Sequence, residues 1–90
     1  MVKRGKLEII RDMLYIIKEE SNLIKPTPLL RKSNISSARS KEYFSELIEK
    51  GFIRETTDKK REKFISLTDK GFKFLEKYRT IMDFIDEFEL

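Results

Sequence analysis

Cysteine and histidine are both absent from the 90-residue chain. Without cysteine there is no disulfide, thiolate nucleophile, zinc finger or iron–sulfur ligand. Without histidine the commonest general base and metal ligand is missing as well. The carboxylates that remain show neither the spacing of a calcium loop nor that of a nuclease. Glycine is scarce, and Gly5, Gly51 and Gly71 lie too far apart to build a phosphate-cradling loop. Long apolar runs are lacking too. No stretch approaches the roughly 18–20 residues that span a bilayer, and the basic opening at residues 3–6 is followed by Glu8, Arg11 and Asp12 rather than by an apolar signal-peptide core. These absences exclude catalysis, a metal or a cofactor from the reading, and no small-molecule ligand is evident. They leave the expectation of a soluble, cytoplasmic protein with no membrane contact.

What is present is charge. Charged residues make up 40% of the chain and hydrophobic ones 39%, which describes one small domain with a thin core and a heavily charged exterior. The charge is unevenly placed. Residues 1–82 hold all 20 basic side chains against 12 acids, a balance of +8, whereas residues 83–90 hold Asp83, Asp86, Glu87 and Glu89, a balance of −4. A basic body with an acidic end points to a polyanionic partner for the body alone.

Along the chain, Ile9, Ile10, Met13, Leu14, Ile16 and Ile17 give residues 6–20 one apolar helical stripe. Pro26 and Pro28 suit the first turn of a short second helix over 27–32 that buries Leu29 and Leu30. Ser33-Asn34 marks a turn. Ser36 caps a third helix running to residue 50, where Gly51 stands at the position that favours a left-handed residue. Its inward face is expected at Phe44, Leu47 and Ile48, with Ser37 and Ser40 on the same side. Residues 52–57 and 62–67 then read as two strands joined by a polar turn at 58–61. Thr68 caps a last helix over 69–88. The order helix, helix, helix, strand, strand, helix predicts a mainly α fold with a β-hairpin (α+β), a winged helix-turn-helix.

Three strings carry a more specific resemblance. Residues 8–14, residues 34–53 with Asn34-Ile35-Ser36 and Tyr43-Phe44, and residues 67–78 with Leu67-Thr68-Asp69-Lys70-Gly71 together resemble archaeal winged helix-turn-helix DNA-binding proteins. That family comprises small transcriptional regulators and chromatin-associated proteins of about this size. The resemblance implies dimerisation through an antiparallel C-terminal coiled coil and a place on the nucleoid.

For double-stranded DNA the expected contacts begin with the third helix. With Phe44 at the centre of the buried face, about 100° per residue turns Ala38, Arg39, Glu42 and Ser45 outward, with Lys41 on the flank. Small Ser36, Ser37 and Ala38 would let the helix start approach a groove closely, Arg39 could pair with guanine, and Lys41 could reach a base or phosphate. Glu42 could take a cytosine amino group or simply repel phosphate. The turn between the strands carries Lys59, Lys60 and Arg61, with Lys63 just beyond, which suits phosphate contact. Arg31 and Lys32 would touch flanking backbone, as would Lys3, Arg4 and Lys6. In the last helix Phe74, Tyr78, Ile81, Ile85 and Phe88 recur at spacings of 4, 3, 4 and 3, widened by Met82, as the interface of a homodimer. Residues 1–68 are thus expected to be the DNA-binding unit and 69–90 the dimerisation helix. The alternative reading is a winged-helix module that binds protein and not DNA.

Overall fold

The computed structural model describes residues 5–90. Four helices and one hairpin follow the expected order: α1 (Lys6–Glu19), α2 (Pro26–Lys32), α3 (Ser37–Glu49), β1 (Ile53–Thr57), β2 (Lys63–Leu67) and α4 (Asp69–Glu87). The core is built where the apolar spacing puts it. Ile9, Ile10, Met13, Leu14 and Ile17 bury one side of α1 against Leu29 of α2, Leu47 of α3, and Ile53, Ile65 and Leu67 of the hairpin.

The connections are closed by specific groups. Ser21 and Asn22 both take positive φ, which ends α1, and the Asn22 side-chain oxygen accepts the Leu67 N–H at 2.7 Å. This brings Ile24 alongside β2, where it exchanges both backbone hydrogen bonds with Ile65 (3.0 and 2.7 Å) as a one-residue third strand. The Ser36 hydroxyl accepts the Arg39 N–H at the start of α3. At its end Gly51 sits at φ +79°, with Phe52 N–H donating to Leu47 and Gly51 N–H to Ile48, a complete Schellman cap.

β1 and β2 pair antiparallel from Ile53↔Leu67 to Thr57↔Lys63. Only Ile53 of β1 is buried, so the hairpin leaves the core after its first pair and projects as a wing. At the other end of the hairpin Thr68 forms a junction. Its hydroxyl reaches the Gly51 and Phe52 carbonyls at 2.5 and 3.1 Å and accepts the Gly71 N–H. Gly71 is buried there, and a Cβ would collide with the Phe52 carbonyl oxygen.

The first half of α4 lies on the body. Phe74 meets Phe52 edge-on at 5.5 Å and stacks with Tyr78, whose ring in turn carries the Arg11 guanidinium at 5.6 Å. Beyond Tyr78, Met82 still lines a hollow with Arg11, Tyr15 and Lys18 of α1, and the overall dimensions are 50 × 28 × 21 Å. Among the described residues no helix is long and apolar enough to cross a membrane.

Candidate nucleic-acid interface

The buried face of α3 keeps Ser40, Leu47 and Phe44 of the expected one and loses Ile48 and Ser37. Ser40 and Leu47 are its buried residues, Phe44 and Tyr43 are half-buried on either side, and Ile48 and Ser37 are exposed. Ser40 goes inward because its hydroxyl donates to the Ser37 carbonyl one turn back, at 3.0 Å, which satisfies it without water. With the inward direction set by Ser40 and Leu47 instead of Phe44, helical periodicity makes Ala38, Glu42, Ser45 and Glu49 the outward row. All four are exposed. Arg39 and Lys41 fall on opposite flanks of that row.

Each flank has its own hollow. On one side Thr27, Leu30, Arg31, Ile35, Ser37, Ser40 and Lys41 line a cleft of about 490 Å³ between α2 and α3. The structure thus brings Arg31, Ser37 and Lys41 together, and adds Thr27, whose hydroxyl no sequence pattern singles out. On the other side Arg39 lies over the Tyr43 ring at 5.9 Å, in a hollow shared with Lys6, Glu42 and Glu46. Glu46 accepts from both Lys6 and Lys50 at 2.8 Å. The two ammonium groups, Lys50 first, hold its carboxyl below the usual carboxylate range, and Glu46 raises Lys6 in return. Lys6 is therefore engaged within the molecule. Lys3 and Arg4 lie outside the described residues.

The wing tip is pre-formed. Lys59, Lys60 and Arg61 make a three-residue loop closed by Asp58 and Glu62: Asp58 N–H donates to the Glu62 carbonyl, and Arg61 N–H to that of Asp58. The Asp58 carboxylate accepts the Lys60 and Glu62 N–H groups at 2.9 and 2.8 Å. The third loop position needs a left-handed residue, usually glycine, and here Arg61 occupies it at φ +63°. Among the described residues no carboxylate lies within ion-pair distance of Lys59, Lys60 or Arg61. Two of the other expected cations are already partnered: Lys63 faces Glu55 at 3.6 Å, and Lys32 is bound to Glu20. Neither of the α3 hollows includes a wing residue.

On α4 the expected interface divides. Phe74 and Tyr78 are half-buried against the chain's own body, whereas Ile81 and Phe88 are 55% and 58% exposed. Met82 closes a hollow with Arg11, Tyr15, Lys18 and Arg79, and Ile85 is half-buried. Phe84, absent from the expected set, is 55% exposed and packs its ring at a tilt against Phe88, with centroids 4.8 Å apart. The exposed stripe is thus 81/84/88, a spacing of three and four offset from the expected one. It was readable in the sequence as a second helical row, but the row through Phe74 and Tyr78 is longer.

The family model described as winged helix-turn-helix matches residues 3–86. The chain belongs to the winged helix-turn-helix family. No curated protein matches it in sequence. Among solved structures this winged-helix chain is similar to Sso10a-2, a DNA-binding protein from Sulfolobus solfataricus, at 19% identity and a TM-score of 0.73, covering 96% of this chain and 86% of that one. It is similar to a winged-helix DNA-binding protein from STIV at 19% identity and TM-score 0.72, covering 89% and 91%. It also resembles MepR, a transcription regulator of the Staphylococcus aureus multidrug efflux pump MepA, at 20% identity and TM-score 0.74, covering 88% of this chain and 59% of that one. The winged-helix architecture is the common element of these likenesses.

Proposed function

We propose that this winged-helix protein binds double-stranded DNA as a homodimer, as a transcriptional regulator or an architectural chromatin protein of the nucleoid, without catalysis. The carrying observation is the wing tip: three successive cations, unpaired among the described residues, on a loop whose backbone is already closed by Asp58. A polyanion that meets such a loop gains charge neutralisation at little ordering cost. The start of α3 supports the same reading. Ser36, Ser37 and Ala38 are small and exposed, Arg39 and Lys41 flank them, and Arg31 shares the cleft of Lys41. In this reading α3 enters the major groove, the wing and Arg31 hold backbone, and Lys32 and Lys63 contribute only if they exchange their present carboxylate partners for phosphate.

Residues 1–68 form the DNA-binding unit, and the helix over 69–90 pairs with its counterpart in a second copy. Ile81, Phe84 and Phe88 support the pairing, because three large apolar side chains on one exposed row gain from being covered. Phe74, Tyr78, Met82 and Ile85 continue the row onto the body and set its edge.

Titration of a labelled duplex at several salt concentrations tests the DNA reading. Log K should fall linearly with log salt. The Lys59, Lys60, Arg61 triple alanine variant should flatten that slope by roughly 0.9 for each phosphate it no longer neutralises. An unchanged slope removes the wing from the interface, and no binding to any duplex refutes the function. Genome-wide footprinting then separates discrete sites from continuous coverage, and so a regulator from a chromatin protein.

A further inference from the structure

We infer that Glu42 is a specificity-determining residue that selects cytosine in the major groove, its carboxylate accepting a hydrogen bond from the cytosine N4 amino group. The assignment rests on the DNA-binding reading above and deepens it. Glu42 stands in the middle of the outward row of α3, with Ala38 one turn before it and Ser45 one turn after, all exposed. Its neighbours along that row are both small, so no side chain of the outward row stands between its carboxylate and a base edge.

Its charge is what needs an account. Glu46, the neighbouring acid of α3, is neutralised by Lys6 and Lys50. Glu42 has no such partner: among the described residues no cation lies within ion-pair distance of it, although Arg39 lines the same hollow. The Arg39 guanidinium is placed over the Tyr43 ring instead. A free carboxylate at the centre of a surface that faces phosphate weakens binding to every sequence by repulsion. It is suited to one kind of contact, an edge that offers a donor and no adjacent acceptor. In the major groove cytosine presents N4–H₂ alone. Adenine places its N7 acceptor beside the N6 donor, and guanine and thymine present acceptors. The same repulsion that costs general affinity therefore rejects three bases of four.

Selection from a randomised duplex library, with the full chain and its Glu42→Gln and Glu42→Ala variants, tests the assignment. The unmodified protein should select cytosine at one position of its site, with a preference of about tenfold or more. Glu42→Ala should abolish preference at that position and leave the rest of the site unchanged. Glu42→Gln should move it toward adenine, whose N6 and N7 suit a carboxamide. If both variants recover the parental site and bind every duplex more tightly by a common factor, Glu42 is a solvated charge and the assignment is wrong while DNA binding stands. If the unmodified chain binds no duplex, both are overturned. Glu42 is exposed on one helix face, so both variants should fold, and a circular dichroism melt matching the parent verifies it.

Discussion

Replacing Arg61 with glycine should make the domain more stable and a poorer DNA binder at the same time. Arg61 holds the left-handed position of the wing loop at φ +63°. An L-residue costs about 1–2 kcal/mol in that conformation. Glycine adopts it freely but loses roughly 0.5–1 kcal/mol more chain entropy on folding than a residue with a side chain. At the middle of both ranges the difference is a net gain of about 0.75 kcal/mol. The loop hydrogen bonds should survive, because the Arg61 N–H to Asp58 carbonyl bond and the two accepted by the Asp58 carboxylate use backbone donors only. In a domain of this size about 1 kcal/mol moves the melting temperature by roughly 4–8 °C, so Arg61→Gly should melt about 3–6 °C higher than the parent. Arg61→Ala is the control: it removes the same cation but keeps the backbone strain, so its melting temperature should stay near the parental value. Both variants should leave the same phosphate without its cation and flatten the salt slope equally, by roughly 0.9. Melts at one fixed protein concentration, followed by circular dichroism, keep any assembly contribution constant. If Arg61→Gly melts at or below Arg61→Ala, the strain argument fails. If the glycine variant is stabilised and its salt slope is unchanged, Arg61 carries strain without touching DNA.

Arg39→Ala should relax preference at a single base position, a bidentate contact being worth about 1–3 kcal/mol of discrimination; equal weakening on selected and scrambled duplexes would reduce Arg39 to a backbone contact. Placing lysine at both Ile81 and Phe84 should convert the dimer to a folded monomer, since both are exposed within the chain; sedimentation at micromolar concentration measures it, and an unmodified chain that is monomeric with and without DNA would refute the pairing. Glu46→Gln should flatten the acid limb of stability: the carboxyl lies below its ordinary value, so its contribution is present above the unfolded-state pKa and is lost as pH falls through the folded one. Melting temperatures of parent and variant, followed from neutral pH down into the acid range, should therefore converge at the acid end. Leu14→Ala, at a fully buried position of α1, should cost about 2–5 kcal/mol, a large part of a small domain's margin, read as a lower denaturant midpoint.

The elements of the fold were legible because each one carries a local instruction. Pro26, Ser36, Gly51 and Thr68 mark helix ends through hydrogen-bond and φ requirements that act within a few residues, and all four positions are used as expected. What was not legible depends on partners distant in sequence. Asn22 follows α1 with nothing local to mark a distant role, yet its side chain holds the end of β2, 45 residues on. Ile24 becomes a third strand only because Ile65 arrives beside it. Helical spacing puts Ser40 on the inward side of α3, but the bond to Ser37 that lets its hydroxyl be fully buried is invisible to a hydrophobic pattern. Centring the face on Ser40 and Leu47 leaves Ile48 and Ser37 exposed and moves Arg39 from the outward row to its flank. The wing cations could be read directly, but not which of them already had partners. On α4 the pattern showed apolar rows without saying which row the body would consume.

The junction at Thr68 and Gly71 has a consequence for spacing. One hydroxyl there ties together the end of α3, the foot of the wing and the first turn of α4, and the missing side chain at Gly71 lets the Phe52 carbonyl sit against the helix. The node makes α4 a stiff arm. Its 19 residues reach about 28 Å at roughly 1.5 Å per residue. A tilt of about 10° at the base would swing the far end by roughly 5 Å, more than the rise of about 3.4 Å of one base-pair step. In a pair joined at those far ends, the node works as the zero mark of a ruler. Gly71→Ala, which forces the arm to tilt, should alter the preferred distance between two half-sites while leaving the bases read within each one unchanged.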